Sequence, residues 1–428
     1  MSSNTLTAAE ASGPHKPAAG FEGDRQDNTV GGAVRGYLNK LRAGDLGALP
    51  AVLGIVVLGI LFTVLRPGTF LTPLNLSNLL VQATPIIVLA MGLVFVLLLG
   101  EIDLSAGVVS GVCSAVLAQL LVQAGVAWPI AVLGAIAAGA IIGGFTGSLV
   151  GIVGIPSFVV TLALFLGFQG VTLRLIGQGG TVPVREPVIR ALANENLPVT
   201  LGWILAVLVV VAYAGVEFWR WRSQRTRGLA HQPLALVVLR IVVIAAVVFT
   251  VTAILSVDRA LAAAIDLAGI PYAVPLVVFL LLVLTFVLSR TSFGRHVYAV
   301  GGNAEAARRA GINVTRIRVL AFVISSSLAA ISGILATSRL SSVTPDAGAG
   351  NTLLYAVGAA VIGGTSLFGG RGRARDAVLG GLVIAIIANG LGLLGVAAYL
   401  NFIITGGVLL LAASVDALAR RRAATARR

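Results

Sequence analysis

Charge is scarce in this sequence, and its scarcity excludes an ordinary soluble domain. Charged residues make up 11% of the 428 residues, whereas about 25% is usual in soluble domains. Hydrophobic residues make up 57%, and the mean hydropathy is +1.00. A water-soluble chain of this length has too little interior to bury so much apolar surface, whereas lipid tails solvate it. The composition therefore predicts a polytopic integral membrane protein.

Residues that other functions require are also scarce. Cys113 is the one cysteine, so a disulfide framework within the chain is excluded. The three histidines, His15, His231 and His296, lie far apart and show no metal-ligand spacing. Aromatic residues are 6%, and the basic residues behind the net charge of +14 lie in short gaps between apolar runs. This pattern is typical of membrane loops and not of a nucleic-acid-binding protein. We expect no metal and no nucleic-acid partner.

The chain also lacks a nucleotide-binding loop. Such a loop ends in Gly-Lys-Ser/Thr, whose lysine reaches the phosphates. The only lysines, Lys16 and Lys40, follow no glycine and precede no Ser or Thr. If transport uses ATP, another chain must hydrolyse it, and this chain binds no cofactor of its own. The apolar runs also offer no convincing base, nucleophile or metal cluster, which argues against an intramembrane enzyme.

Long apolar runs predict an all-α fold with about 10–12 transmembrane helices, because one crossing needs about 20 apolar residues. Glycine and serine clusters mark two runs, 104–124 and 352–368, as broken or re-entrant. The predicted spans are 49–65, 79–99, 104–124, 128–153, 157–176, 199–217, 234–256, 272–290, 317–337, 352–368, 376–397 and 401–418.

Basic residues fall mostly in alternate gaps between these runs. Of the 30 lysines and arginines, the gaps assigned to the outside hold only Arg66, Arg174, Arg185, Arg190, Arg259 and Arg339. Positive residues favour the cytoplasmic side of a membrane. The asymmetry therefore predicts an even number of spans with both termini in the cytoplasm.

The polarity of the chain also divides it into regions. Residues 1–45 are polar and lack the apolar core of a secretory signal, so they predict a disordered cytoplasmic tail. A transmembrane domain follows over 46–418, and a basic cytoplasmic tail over 419–428. Within the domain, the runs in 199–256 flank a very basic stretch and are interpreted as an inserted helical hairpin.

A cytoplasmic segment, 290–318, is long, polar and patterned as a short capped helix over 304–310. Its signals are an N-cap, an acidic first turn, a basic last turn and a glycine stop, at Asn303, Glu305, Arg308, Arg309 and Gly311. A helix this short is unstable alone in water. Two interpretations remain open: it docks into a groove of a partner, or it is a capped turn at the membrane surface.

The segment GEIDLSAG (100–107) places Glu101 and Asp103 between two apolar runs. Carboxylates within a membrane are costly unless they are solvated or paired. The segment is either a broken helix that lines a polar pathway or holds a proton, or a short cytoplasmic turn in which Asp103 caps the next helix. Both interpretations remain open.

The segment GGTSLFGGRG (363–372) is half glycine and does not favour a stable helix. Non-helical backbone inside a membrane is tolerated only within protein or beside a water-filled cavity. The segment therefore either lines a substrate path or forms a turn at the interface.

Together these motifs resemble one family. GEIDLSAG (100–107), GRHVYAVGGNAEAARRAGINV (294–314) and VIGGTSLFGGRG (361–372), followed by NGLGLLGV (389–396), occur in its order. The sequence resembles the permease subunit of bacterial monosaccharide ABC importers, the ribose, xylose and galactose group, from about residue 75 to 418. The inserted hairpin makes it most similar to the xylose type. Glu101 and Phe368 depart from the family pattern.

The resemblance implies a function and a set of partners. The chain would translocate a monosaccharide, with xylose preferred, across the bacterial cytoplasmic membrane by alternating access. Expected partners are an ABC ATPase subunit that binds ATP and Mg²⁺, a periplasmic or lipid-anchored sugar-binding protein, a second permease copy and membrane lipid. The residues implied in coupling to the ATPase are Asn303, Glu305, Ala306, Ala307, Arg308 and Gly311. Candidates for the translocation pathway are Asp103, Ser105, Thr365, Ser366 and Asn389.

A different class of transporter remains an alternative. In a proton- or sodium-coupled secondary sugar transporter, Glu101 and Asp103 would form the ion-coupling site. Such a protein would have no need for the 290–318 segment.

Overall fold

The computed structural model describes residues 47–227, 232–260 and 267–425, together with Gly31, Gly32 and Arg35. Apart from those three positions, the predicted tail over 1–45 lies outside the described residues. The helices are α1 Leu49–Leu65, α2 Pro73–Leu98, α3 Ala106–Ala118, α4 Trp128–Ser148, α5 Ser157–Ile176, α6 Pro187–Asn194, α7 Val199–Thr226, α8 Leu234–Leu255, α9 Ala273–Arg290, α10 Ser292–Gly302, α11 Ala304–Arg309, α12 Val314–Leu340, α13 Thr352–Gly363, α14 Ala374–Leu393 and α15 Ala398–Thr425.

The remaining regular structure is small. One π-helical turn, Gln119–Gln123, extends α3, and a second, Leu149–Val153, extends α4. Two short antiparallel strand pairs join distant loops: β1 (Val182–Pro183) with β4 (Ser342–Val343), and β2 (Asn196–Leu197) with β3 (Ile270–Pro271).

The predicted all-α membrane fold is confirmed. In the described part of the chain, nine helices are long and apolar enough to cross a membrane. Three shorter apolar helices, Leu49–Leu65, Thr352–Gly363 and Ala398–Val408, account for the other predicted runs. The runs 128–153 and 157–176 have the predicted limits. Helix α2 begins six residues before the predicted run 79–99, and α7 continues nine residues past the predicted run 199–217 into polar sequence.

The bundle has two distinct ends. Three loops meet at one of them, which we call the basic end: 99–105, 291–313 and 364–373, with Gly370 N–H donating to the Leu98 carbonyl at 2.9 Å. Both strand pairs lie at the other end, which we call the strand end.

The chain enters the bundle as non-helical backbone after β4. Segment 344–351 leaves the strand end and contacts α3, where glycines make room for it. A Cβ added at Gly107 would lie 2.7 Å from the Gly348 carbonyl, and a Cβ at Gly111 would meet the Ala347 carbonyl. Helix α13 then has only 12 residues, or about 18 Å, against about 30 Å of hydrocarbon. The predicted run 352–368 is thus a half-length helix after a re-entrant segment.

Helix α2 shows how buried polar backbone is satisfied in the apolar interior. Pro85 lies inside α2 and has no N–H to donate. The Val81 carbonyl, which would accept that bond, instead accepts from the Thr84 hydroxyl at 2.9 Å. Ser332 of α12 donates to the Pro85 carbonyl at 2.7 Å. The carbonyl that the proline cannot bond is therefore still paired, and the Ser332 bond joins α2 to α12.

Helices α4 and α12 pack closely along a stripe of small residues. Gly139, Gly143 and Gly147 follow one another at four-residue spacing on α4. A Cβ at Gly147 would lie 2.8 Å from the Val319 Cα, and one at Gly143 would collide with the Phe322 carbonyl. In lipid, such close backbone approach supplies much of the association between helices, because apolar burial alone gives little preference.

Helices α7 and α8 form a peripheral hairpin, in the place of the predicted insert. Both helices are mostly exposed: only 11% of the most apolar stretch of α7 and 6% of that of α8 are buried. The hairpin is anchored at the strand end, where Arg259 donates to the carbonyls of Leu255 at 2.5 Å and Gly269 at 3.0 Å. Pairing of β2 with β3 closes the same corner.

Two neighbouring glycines test the packing of α4. We expect Gly143→Ala to lower the thermal unfolding midpoint of the purified protein, because overpacking costs about 1–3 kcal/mol. Gly144→Ala is the matched control, since its Cβ would meet only Val323 Cγ2 at 3.9 Å. Fluorescence-detected size exclusion after heating measures both. Equal midpoints for the two variants would contradict the close contact of α4 with α12.

Candidate functional site

Three backbone segments meet at the basic end, and they lie too close together to leave room for Cβ atoms between them. The Gly370 amide donates to the Leu98 carbonyl at 2.9 Å. A Cβ added at Gly301 would collide with that same carbonyl and lie 2.9 Å from the Gly370 nitrogen. A Cβ at Gly369, whose φ is +84°, would lie 2.9 Å from the Gly301 carbonyl. We call this contact of residues 98–100, 301 and 369–370 the glycine junction. All three family-like motifs meet there.

The loop 364–373 is held in shape by its own polar groups. Asp376 Oδ2 accepts from the Arg373 amide at 2.8 Å and from the Thr365 hydroxyl at 3.5 Å. Tyr298 of α10 donates to the Gly372 carbonyl at 2.7 Å. Burial raises the pKa of the Tyr298 phenol, so it keeps its proton and remains a donor. This loop is therefore fixed to α10 as well as to α14.

Ser366 closes a tight turn within that loop. Its amide donates to the Arg371 carbonyl at 2.8 Å, and its hydroxyl accepts from the Phe368 amide at 3.1 Å. The Phe368 ring lies outside the turn with 76% of the residue exposed. Thr365 and Ser366, both predicted for the translocation pathway, are buried groups that shape the loop.

Asp103 and Ser105 form a compact turn just before α3. Asp103 Oδ1 accepts from the Ser105 amide at 2.9 Å and from its hydroxyl at 2.7 Å. Asp103 is only 2% exposed. Its Oδ2 has no hydrogen-bond partner within the described part of the chain. The arrangement is close to the turn that the sequence offered as one interpretation, and the pathway role of both residues stays a prediction.

The same loop is fixed to two further helices. Glu101 Oε1 lies 2.9 Å from Arg318 Nε on α12. The Nε–H does not point along that line, so the contact is an ion pair and not a hydrogen bond. On the α5 side, the Ile102 amide donates to Ser157 Oγ at 3.2 Å, and Thr161 donates to the Ile102 carbonyl at 3.2 Å.

The predicted capped helix is present as α11. Asn303 Oδ1 accepts from the Ala306 amide at 2.9 Å, and Gly311 ends the helix with φ +81°. Glu305 forms ion pairs with Arg308 at 2.9 Å and Arg309 at 3.3 Å. These pairs are well exposed, so they add little stability.

One face of α11 is left uncovered. Ala307 is buried against the bundle, whereas Glu305, Ala306 and Arg308 face outward. The helices on either side of α11 in the chain are also capped, α10 by Thr291 and α12 by Asn313. The fold thus presents a capped helix with an exposed face, and its role in coupling stays a prediction.

Asn389 lies away from the other predicted site residues. It forms a reciprocal amide pair with Asn75, with bonds of 2.9 Å and 3.0 Å between α2 and α14. Asn75 also donates to the Phe70 carbonyl at 2.9 Å, just before α2. The structure therefore groups Asp103, Ser105, Thr365 and Ser366 at the basic end but leaves Asn389 outside that group.

Some residues of the site escaped the sequence analysis. No local sequence pattern predicts the contacts made by Gly301, Tyr298, Asn75 and Arg318, the partner of Glu101. Glu101 was conspicuous as a departure from the family pattern, and its pairing with Arg318 explains why a carboxylate is stable there. No group of three or more His, Cys, Asp or Glu side chains suited to a metal was found among the described residues.

The ion pair of Glu101 with Arg318 can be tested by a double-mutant cycle. We expect Glu101→Gln and Arg318→Gln each to destabilise the protein, and the double variant to be little worse than either. Both side chains are partly exposed, at 14% and 28%, so we expect a coupling free energy of about 1 kcal/mol. Chemical or thermal unfolding in detergent measures it. Strict additivity of the two single effects would rule out the contact.

Comparisons with known proteins find a matching family model and several similar permeases. A family model described as branched-chain amino acid transport system / permease component matches residues 75–413. The xylose transport system permease protein XylH of Escherichia coli (strain K12) is 35% identical over 390 residues, which are 90% of this chain and 96% of that protein. XylH of Haemophilus influenzae is 34% identical, over 88% of this chain and 98% of that protein.

More distant relatives carry other sugar names. The ribose import permease protein RbsC of Escherichia coli (strain K12) is 30% identical, over 86% of this chain and 92% of that protein. No solved structure matches the chain. The family description mentions branched-chain amino acids, while these relatives are named for sugars. Family membership therefore shows that the chain is a transport permease and does not identify its solute. The family model matches residues 75–413, which are most of the chain. The chain therefore belongs to the family described as branched-chain amino acid transport system / permease component.

Proposed function

We propose that this chain is the membrane-spanning subunit of an ABC importer for a monosaccharide, with xylose as the first candidate. The observation that carries the proposal is the combination of the exposed, capped helix α11 with similarity to xylose permeases over nearly the whole chain. Sugars are neutral, so their passage calls for hydrogen-bonding groups and small residues. The described interior fits this need, since its buried polar residues are mainly Ser and Thr.

We infer that α11 docks into a groove of a separate ATPase subunit at the basic end. Its outward face is small at Ala306 and charged at Glu305 and Arg308, which suits close packing with polar contacts at the edge. Its inward residue, Ala307, and the junction at Gly301 would pass movement of the ATPase to α2 and α14. ATP and Mg²⁺ would be bound by that subunit, and both termini would be cytoplasmic.

We further propose that the solute passes beside segment 344–351 and the half-length helix α13. Non-helical backbone at this depth is tolerated where it lines a cavity. Asp346 is exposed there, Asn351 and Tyr355 are partly exposed, and Leu354 is 57% exposed. A polar surface open on the side of a single chain would need a cover in the membrane, and a second copy of the permease would supply it.

Proton coupling through Asp103 is the competing proposal, and its unpartnered Oδ2 is the observation that favours it. We expect Asp103→Asn to retain sugar uptake, because an amide oxygen still accepts from Ser105 in the turn. Asp103→Leu should reduce uptake by removing that acceptor. Uptake of labelled sugar in whole cells measures both. Loss of uptake in Asp103→Asn, with normal protein levels, would favour a proton-coupled transporter.

Labelled uptake also tests the importer proposal directly. Cells with and without this chain and its ATPase would be given labelled xylose, ribose or allose. Each sugar would be tested with an uncoupler that spares ATP and with ATP depletion that spares the membrane potential. We expect uptake that survives the uncoupler and stops with ATP depletion, with xylose preferred. Uptake that stops with the uncoupler alone would sink the ABC assignment.

Bulk on the outer face of α11 should uncouple transport. We expect Ala306→Trp to reach the membrane but to lose ATP-dependent uptake and co-purification with the ATPase, because the side chain blocks the groove. Gln224→Trp is the matched control, on an exposed helix at the same end. Normal uptake and retained co-purification in Ala306→Trp would remove α11 from the coupling role.

A cysteine crosslink tests the second copy. Cys113 is the only cysteine and is buried, so Cys113→Ser gives a cysteine-free background. In it, we expect Leu354→Cys to form a disulfide-linked dimer under mild oxidation. Leu282→Cys, equally exposed on α9 at 61%, should remain monomeric on a denaturing gel. Crosslinking of Leu282→Cys alone would place the copy against another face.

A further inference from the structure

Helix α7 is longer than one membrane crossing requires. It runs for 28 residues, Val199–Thr226, or about 42 Å, against about 30 Å of hydrocarbon. Counted from the first residue, Phe218 lies about 29 Å along the helix, and Arg222 and Arg225 lie about 35 Å and 39 Å along it. Because α7 starts at the strand end, just after β2, its last two turns lie at the basic end, at the level of the lipid headgroups.

One face of these last turns carries aromatic and basic side chains in contact with one another. Phe218, Trp221, Arg222 and Arg225 occupy positions i, i+3, i+4 and i+7, which lie on the same side of a helix. The ring centroids of Phe218 and Trp221 are 5.6 Å apart, and the Arg225 Cζ lies 5.3 Å from the Trp221 ring centroid. We call these four residues the α7 strip. Its cation–π contact holds Arg225 against the helix.

The strip continues an exposed apolar face of α7. Val207, Val211 and Phe218 follow one another at four- and seven-residue spacing, and they are 45%, 61% and 48% exposed. Arg222 and Arg225 are exposed on the same face. Toward the basic end, the surface therefore changes from aliphatic to aromatic to basic. A phospholipid has the matching order of acyl chains, interfacial region and phosphate, and aromatic rings favour the interfacial region.

The positive charge of the strip is not balanced by an acid in the described part of the chain. No carboxylate there lies within ion-pair distance of Arg222 or Arg225. Glu217, the acid next to the strip in sequence, pairs with Arg220 at 3.2 Å. A cation–π contact leaves the guanidinium N–H groups of Arg225 available as donors. The strip therefore offers two guanidiniums to an anion outside the chain.

The order of this surface and its charge fit one partner. We propose that the α7 strip binds the headgroup phosphate of an anionic phospholipid in the leaflet at the basic end. Arg222 and Arg225 donate to the phosphate, and the acyl chains lie along Val207 and Val211. Basic residues just beyond the end of a membrane helix favour anionic headgroups. The lipid anchors the hairpin at the end opposite to the one that β2 and β3 close.

Native mass spectrometry of the detergent-purified protein tests this site. Phosphatidylglycerol and phosphatidylcholine with identical acyl chains are added separately, and the dissociation constant of each is measured. We expect wild type to bind phosphatidylglycerol more tightly. Arg222→Gln/Arg225→Gln should raise the dissociation constant for phosphatidylglycerol about tenfold or more. Arg222→Lys/Arg225→Lys, which keeps the charge, should retain most of the binding.

Two further variants separate the strip from general charge attraction. Arg290→Gln/Arg295→Gln removes the same charge from exposed positions at the basic end, and it should change phosphatidylglycerol binding by less than about twofold. Trp221→Leu keeps both arginines of the strip but removes the ring that holds Arg225. It should weaken binding about two- to fivefold.

Other results would overturn the proposal. Equal binding of the two lipids by wild type, or unchanged phosphatidylglycerol binding in Arg222→Gln/Arg225→Gln, would exclude an anionic-lipid site on the strip. An equal loss in Arg290→Gln/Arg295→Gln would reduce the effect to the net charge of the basic end. A loss in the lysine variant as large as in the glutamine variant would also contradict the proposal, because the charge is kept. Thermal unfolding midpoints equal to that of wild type would show that a loss of binding is not a loss of fold.

Discussion

The contact between Leu98, Gly301 and Gly370 is the constraint on which the rest of the basic end depends. One amide-to-carbonyl bond of 2.9 Å and the absence of Cβ atoms allow three backbones to meet. Each backbone belongs to a different part of the chain: the end of α2, the end of α10 and the loop before α14. Because interiors this close-packed do not deform continuously, a shift of one segment must shift the others. Helix α11 follows Gly301 directly, so its position is set by the same contact.

Several polar groups in the apolar bundle join two helices by bonding to a specific partner. Asn75 and Asn389 bond reciprocally and join α2 to α14. Ser332 and Pro85 join α12 to α2. An unsatisfied amide is expensive where water is absent, so such pairs fix the register of the helices that they join. The glycines let neighbouring helix backbones approach closely, and these hydrogen bonds fix which turn of one helix lies against which turn of the next.

Local features of the site were predictable from the sequence, and its long-range contacts were not. Apolar runs gave the spans 128–153 and 157–176 with the limits that the structure has, and the cap at Asn303 with the stop at Gly311 predicted α11. These signals act over a few residues. The partners Asn75 and Asn389 are 314 positions apart, and nothing near either residue specifies the other. The same holds for Glu101 with Arg318, and for Gly301, whose need for a missing Cβ arises only when the loops meet.

The half-length helix α13 connects the glycine junction with segment 344–351, the two parts of the structure that the proposed mechanism uses. Its last residue, Gly363, is followed at once by the loop 364–373, which the glycine junction and Tyr298 hold to α10. Its first residue, Thr352, follows the non-helical segment 344–351 inside the bundle. A helix of 12 residues is too short to bend appreciably. In the proposed mechanism, a displacement at the junction would therefore reach the segment as a rigid movement of α13. The half-length of α13 thus places the non-helical segment 344–351 beside α3 and connects it to the loop that the glycine junction holds.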